Sequence, residues 1–253
     1  MKVTFLGTGT SQGVPPVGCN SPVCLSTDPR DKRLRCSVHI ETHGLSIVID
    51  AGPDFRYQLL RAGITRLDAL IFTHEHRDHT AGLDDIRPFN YMQNGPVPVY
   101  LHKRVLDVFH RQYDYIFAEK KYPGIPEIEW HLIENTPFHI AGLEIIPIEV
   151  MHYRLPVLGY RLGDFTYITD ANYIHPDEME KAAGSRHLVL NALRHEPHIS
   201  HFTLEQAVEH ARKIGARNTW FTHMSHQIGF HAQVNETLPE GMALAWDGLV
   251  LEW

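Results

Sequence analysis

Apolar residues in this chain gather in short runs rich in Val, Ile, Leu and Phe, broken by Gly, Pro, Asp and His. Runs of that length and branching predict strands over 1–7, 37–42, 46–50, 68–73 and 97–102. Further strands are predicted over 144–150, 159–162, 165–169, 188–193 and 218–222. Two last runs, 242–246 and 249–253, flank Asp247-Gly248, which predicts a hairpin turn. Helical spacing marks 55–62, 103–117, 177–183 and 204–214; in the last, Leu204, Ala207, Val208 and Ala211 share a face behind Thr203 as N-cap. Strands come in clusters rather than in strict β-α-β alternation. That predicts an α/β (α+β layered) arrangement of two mixed sheets with outer helices, in one domain spanning 1–253.

Composition narrows this picture. With 253 residues, 43% of them hydrophobic, the chain has the ordinary makeup of a globular protein. A formal charge of -7 leaves no basic stripe for following a nucleic-acid backbone. No window reaches the length of a membrane span, and Met1-Lys2 leads straight into Val3-Thr4-Phe5-Leu6, so neither a membrane anchor nor a secretory leader is expected. The 3 cysteines do not make a disulfide framework, and a reducing cytoplasm is the expected location. The 19 histidines are the compositional oddity.

Four of the donors concentrate in Thr73-His74-Glu75-His76-Arg77-Asp78-His79, directly after the apolar run 68–72. A strand running into a His-x-His-x-Asp-His loop carries imidazoles and a carboxylate past the sheet edge, where they can converge on a cation. The spacing suits two metals better than one. Further donors stand at later strand ends: His152 after 144–150, Asp170 after 165–169, and His223 after 218–222. Asp50 ends a strand as well. The early Gly7-Thr8-Gly9-Thr10-Ser11-Gln12-Gly13 has the wrong spacing for a dinucleotide fingerprint, and Val14-Pro15-Pro16 replaces the helix that would receive a pyrophosphate. It reads as a tight glycine turn.

The order of these motifs resembles that of the metallo-β-lactamase superfamily, whose fold is an αββα sandwich. The resemblance implies that His74, His76 and His152 hold one divalent cation, that Asp78, His79 and His223 hold a second, and that Asp170 bridges them. Asp50 would brace the loops by hydrogen bonds. Zn²⁺ and Mn²⁺ both suit such donors.

Gly7-Thr8-Gly9, Gln12-Gly13-Val14-Pro15, Gly18-Cys19, Thr222-His223-Met224-Ser225-His226-Gln227 and Trp246-Asp247-Gly248 narrow the resemblance. They are similar to the phosphoribosyl cyclic phosphodiesterases of the carbon–phosphorus lyase pathway and their uncharacterised relatives. That family implies hydrolysis of a small cyclic ribose phosphate or nucleotide diester, and often a homodimer. It also implies His201 as the acid that protonates the leaving oxygen, aided by Asp78, with His198 and His195 close by in sequence. Arg87, Arg154 and Arg194 are candidate anion contacts. The family carries a structural zinc on three cysteines and a histidine. Here Cys19, Cys24 and His226 are present, Ser21 stands where the middle cysteine is expected, and Cys36 is a substitute donor.

Three other readings fit the same metal motif. One is tRNA 3′-end processing, for which no flexible Gly/Pro-rich arm is visible; another is thiolester hydrolysis. The third is a non-hydrolytic role like that of the pyrroloquinoline-quinone biosynthesis protein B. Loops 90–98 and 120–126 are expected to shape the pocket.

Overall fold

Ala69, Leu70 and Ile71 are wholly buried, as a strand with parallel neighbours on both sides must be. Around this segment a computed structural model describes residues 1–120 and 122–253. Lys121, in one of the loops expected to shape the pocket, lies outside the described residues.

In chain order the strands are β1 (Lys2–Gly7), β2 (Ser37–Thr42), β3 (Leu45–Ile49), β4 (Ala69–Ile71), β5 (Val97–Leu101), β6 (Ile128–Leu132), β7 (Phe138–Ile140) and β8 (Leu143–His152). They continue as β9 (Leu155–Leu162), β10 (Phe165–Ile168), β11 (Tyr173–Ile174), β12 (His187–Asn191), β13 (Asn218–Thr222), β14 (Met242–Leu244) and β15 (Val250–Glu252). The helices are α1 (Pro22–Leu25), α2 (Phe55–Ala62), α3 (Arg77–Thr80), α4 (Arg87–Gln93), α5 (Lys103–Gln112), α6 (Asp114–Phe117), α7 (Pro176–Ala182), α8 (Leu204–Ile214) and α9 (His231–Thr237).

These elements form two compact units, each built on one mixed sheet. The first comprises Met1–Leu6, Ser37–Glu134 and Gly248–Trp253. Its sheet runs β15-β1-β2-β3-β4-β5-β6, with β3 to β6 parallel. Val48, Leu70 and Val99 from neighbouring strands pack with Phe55, Phe72 and Phe109 into one apolar cluster. Parallel strands buried in this way deliver their C-terminal ends to one edge, where the loops carry chemistry.

The second unit comprises Gly7–Cys36 and Asn135–Asp247. Its sheet runs β11-β8-β9-β10-β12-β13-β14, with β7 beside β8. β10, β12, β13 and β14 are parallel, and their apolar residues pack with Leu204, Ala207 and Ala211 of α8. The α8 N-terminus is a capping box: Thr203 Oγ1 accepts from the Gln206 N–H, and Gln206 Oε1 accepts from the Thr203 N–H.

Two expectations need correction. The helix predicted over 103–117 breaks into α5 and α6 at Tyr113, whose backbone leaves the helical region. Tyr113 is buried, and its hydroxyl donates to the Thr80 carbonyl at 3.1 Å. Asp247-Gly248 is not a hairpin turn, because β14 pairs with β13 whereas β15 pairs with β1. The Asp247 carboxylate instead accepts from Thr8 Oγ1 and the Leu34 N–H, both at 2.8 Å. Local turn propensity yielded there to pairing in two different sheets.

Candidate metal centre

Three of the expected site residues follow strands in the left-handed backbone region: Asp50 at φ 66°, Asp170 at φ 56° and His223 at φ 58°. Residues with a Cβ seldom adopt it, and each such turn costs about 1–3 kcal/mol. The cost is met where the surroundings fix a side chain for use.

In the first unit, β4 runs through Phe72 and Thr73 into His74, and α3 begins after His76. Asp50, wholly buried after β3, organises this segment. Its Oδ1 accepts from the Thr73 N–H at 2.9 Å and its Oδ2 from Thr73 Oγ1 at 2.8 Å. Oδ2 also lies 2.7 Å from His79 Nδ1. Thr73 spends its hydroxyl proton on Asp50, so at the 3.0 Å contact with His74 Nδ1 the imidazole is the donor. Both His74 and His79 are then protonated on Nδ1, which leaves Nε2 as the ligand nitrogen. His79 Nε2 lies 3.2 Å from Asp78 Oδ2, and the His74 ring is 4.6 Å from that of His76 and 4.4 Å from that of His79. Burial pushes the Asp50 carboxyl above its ordinary range, against the opposing pull of His79 and Thr73.

In the second unit the donors surround Asp170. Its Oδ1 lies 3.1 Å from His223 Nε2, 3.8 Å from His201 Nδ1 and 4.0 Å from His152 Nε2, and its Oδ2 accepts from Thr169 Oγ1 at 2.8 Å. His152 Nδ1 donates to the Ser200 carbonyl at 2.9 Å, so its Nε2 is the ligand nitrogen as well. Asn191 clamps the residue after Asp170, accepting from the Ala171 N–H and donating to the Ala171 carbonyl. The His201 ring lies 4.7 Å from each of His152 and His223, and its buried Nδ1 has no hydrogen-bond partner among the described residues. Burial, reinforced by His223 and opposed by Asp170, lowers its pKa to about 2. His198 is exposed, with its ring 5.2 Å from that of His201. His195 is turned to Glu205 and the Ile228 carbonyl.

The chemistry of the donors fits divalent cations. Nδ1 is engaged on His74, His79 and His152, which is how ligand imidazoles are oriented in metal sites. Cys19, Cys24 and His226 also converge, with their ligand atoms within 4.8 Å of one another. Ser21 is not among them: its Oγ caps α1 by accepting from the Cys24 N–H at 3.3 Å, and the Cys19 thiol rests on it at 3.4 Å. Hydrogen bonding from Cys24 and Ser21 lowers the Cys19 thiol pKa, whereas burial raises that of Cys24. Cys36 lies instead against Thr222 Oγ1 at 3.3 Å.

The arginines serve other contacts. Arg194 bonds the Glu196 and Pro197 carbonyls and Gln227 Oε1, Arg87 bonds the Asp84 carbonyl, and Arg154 stacks over Tyr153. The bracing roles of Thr73, Asn191 and the Ser200 carbonyl carried no signal in the sequence, since each depends on long-range packing.

Two mixed sheets with His and Asp donors at their strand ends are the metallo-β-lactamase fold. Residues 46–224 match the family model of the beta-lactamase superfamily domain. A crystal structure described as a new diphosphatase from the PhnP family is 42% identical, with a TM-score of 0.93, over 100% of this chain and 97% of that one. The chain therefore belongs to the PhnP family of the metallo-β-lactamase superfamily. Zn²⁺-bound PqqB from Methylobacterium extorquens shares the fold at a TM-score of 0.80 and 18% identity, over 100% of both chains.

Among curated relatives, an octanoyltransferase of Porphyromonas gingivalis is 41% identical over 252 residues, which is 98% of this chain and 51% of that protein. A ribonuclease Z of Staphylococcus epidermidis is 27% identical over 168 residues, 64% of this chain and 49% of that one. The chain thus spans about half the length of these two curated relatives. No helix among the described residues is long and apolar enough to cross a membrane.

Proposed function

We propose that this protein is a two-cation hydrolase acting on a small phosphodiester or diphosphate, at a phosphorus atom with two bridging oxygens. The observation that carries this reading is the 42% identity, over essentially the full length of both chains, with a PhnP-family diphosphatase. Cyclic ribose phosphates and nucleotide diesters share this phosphorus chemistry with a substituted diphosphate. Small substrates are favoured over RNA because the net charge of -7 offers no phosphate-tracking surface.

In this reading His74, His76 and His152 would hold one cation, Asp78, His79 and His223 would hold the other, and Asp170 would serve both. The cations would supply the positive charge that activates water and neutralises developing phosphoryl charge. His201 donates a proton to the leaving oxygen. Asp78 helps orient the donor. A further zinc would sit on Cys19, Cys24 and His226, with its fourth position open because Ser21 is committed to its cap.

Turnover of bis(p-nitrophenyl) phosphate after loading with Mn²⁺ or Zn²⁺ tests the reading. A dinucleoside diphosphate and a cyclic ribose phosphate serve as parallel substrates. No turnover of any of them, in protein shown to hold two cations, overturns it. Octanoyl thiolesters and precursor tRNA belong in the same screen, given the curated relatives' names. Preferential cleavage of either would replace the phosphodiester reading.

A further inference from the structure

The glycine turn Gly7-Thr8-Gly9-Thr10-Ser11-Gln12-Gly13 carries no His, Cys, Asp or Glu, yet its backbone is built into a segment that does. Gly9 lies between two parallel neighbours, Arg35 on one side and Met224 on the other. The Thr8 carbonyl accepts from the Met224 N–H at 3.0 Å, and the Thr10 N–H donates to the Met224 carbonyl at 3.1 Å. Both main-chain polar groups of the residue after His223 are therefore spent on this turn. Before His223 the Thr222 carbonyl accepts from the Ala192 N–H at 2.8 Å, and beyond it the Ser225 N–H donates to the Leu193 carbonyl at 3.0 Å. His223 holds its left-handed backbone, at φ 58°, between these fixed points. The turn is in turn anchored from behind. Thr8 is wholly buried, and its Oγ1 donates to Asp247 Oδ1 at 2.8 Å and accepts from Arg33 Nη1 at 2.9 Å. The Gly9 N–H donates to the Leu34 carbonyl at 2.7 Å, and the Gly13 N–H closes the turn on the Thr10 carbonyl at 2.8 Å. A Cβ at Gly9 would come 2.9 Å from both Arg33 Cβ and the Arg33 carbonyl oxygen, so any side chain there drives the turn away from Arg33.

We infer that Thr8 and Gly9 are positioning residues for His223, carrying the rigidity of the Arg33–Thr8–Asp247 cluster through the Met224 backbone to the imidazole. The inference rests on the reading of His223 as a cation ligand. A left-handed turn at a residue with a Cβ is strained, and it persists only where its surroundings over-determine it. Here Met224 supplies that constraint, with both backbone groups bonded to the turn and its side chain wholly buried in the apolar cluster of the second unit. His74, His79 and His152 are each oriented by a contact at Nδ1. The glycine turn acts at a different point, on the main chain from which the His223 side chain starts. Ligand atoms must be held within about 0.5 Å of their working geometry, so a small displacement of the Met224 backbone is felt as lost cation affinity. Gly9 is thus glycine for close approach, and the approach serves the site.

Chelator competition on the intact protein loaded with Mn²⁺, with metal analysis at each chelator concentration, reads the affinity of each cation. Mn²⁺ suits the imidazole and carboxylate donors and matches the Cys19 and Cys24 thiols poorly, which keeps that cluster out of the measurement. His223→Ala identifies the cation that His223 holds, as the one it fails to retain. Gly9→Ala is expected to weaken that cation roughly tenfold and to leave the other near wild type. Thr8→Val removes the anchoring hydroxyl without adding bulk; it is expected to act in the same direction, and it carries the test if Gly9→Ala does not fold. Thr8→Ser keeps the hydroxyl and is expected to retain wild-type affinity. Ile214→Ala, at a buried position of α8 outside the turn, lowers the melting temperature and is expected to change neither affinity, which separates positioning from stability. Wild-type affinity in folded Thr8→Val, equal weakening of both cations, or the same weakening by Ile214→Ala would each overturn the inference while His223 remains a ligand. Retention of both cations by His223→Ala would overturn the reading of the site, and the inference with it.

Discussion

The carboxylate of Asp50 and the imidazole of His79 form a buried pair, with Oδ2 2.7 Å from Nδ1 and both side chains almost fully enclosed. The aspartate sits in a left-handed turn after β3, and its other bonds hold Thr73. One side chain thus fixes the tautomer of His79 and the course of the segment that carries His74. Its influence on a cation is indirect, through the nitrogens it orients.

Asp50→Asn puts an amide where three donors converge, so its NH₂ must face a donor of Thr73 or His79 Nδ1. Affinity for the cation held through His79 is expected to fall roughly 10- to 100-fold. Chelator competition with metal analysis measures this. Wild-type affinity in the folded variant would remove Asp50 from any bracing role.

Gly82 packs against the turn that follows Asp50, its N–H donating to the Ala51 carbonyl at 2.8 Å. A Cβ added there would come 2.3 Å from the Gly52 carbonyl oxygen and 2.6 Å from Phe55 Cβ. The first neighbour is backbone and the second is buried core, so neither yields cheaply. Gly82→Ala is expected to lower stability by about 1–3 kcal/mol. A wild-type urea midpoint would contradict that packing.

A buried cluster in the second unit sets a pH limit on stability. Arg33 donates to Thr8 Oγ1 and the Ala245 carbonyl, and its Nη2 lies 3.3 Å from His231 Nδ1. Burial, with Arg33 and Arg30 adding repulsion, lowers His231 to about 4 from its ordinary 6.5. Between those values the unfolded chain binds a proton that the folded chain refuses. Stability from this group is therefore complete above about pH 6.5 and declines as pH falls toward 4. His231→Asn should flatten that part of the stability–pH curve. Parallel curves for variant and wild type would show that His231 does not titrate there.

Much of this was legible in the chain. β2, α2, α8 and β13 fall on their predicted bounds because each has an uninterrupted period and a clear cap or turn. The placing of His74, Asp170 and His223 just after strands was legible because each follows an apolar run of strand length. β6 was not, since Ile128-Glu129-Trp130-His131-Leu132 has mixed polarity and is held as a strand by its pairing with β5. The use of Asp247 was hidden by its neighbour, because Asp-Gly between two strands looks like a hairpin. Its partners Thr8 and Leu34 are remote in sequence.

Ser21 offers the sharpest substitution, because its two effects have opposite signs. Its Oγ caps α1 through the Cys24 N–H and supports the Cys19 thiol. Cysteine is a poorer cap, so in zinc-free protein Ser21→Cys is expected to cost about 0.5–2 kcal/mol of stability. With zinc present, the added thiolate joins Cys19, Cys24 and His226 in a Cys₃His set, the composition of a closed structural site. Zinc bound only by the folded protein stabilises it in proportion to the logarithm of its affinity. The variant should therefore melt below wild type in chelator and above it in zinc, and should retain zinc at chelator concentrations that strip wild type. If zinc raises both melting temperatures equally, the new thiol does not reach the cation, and the Cys19–Cys24–His226 cluster is not a metal site lacking one ligand.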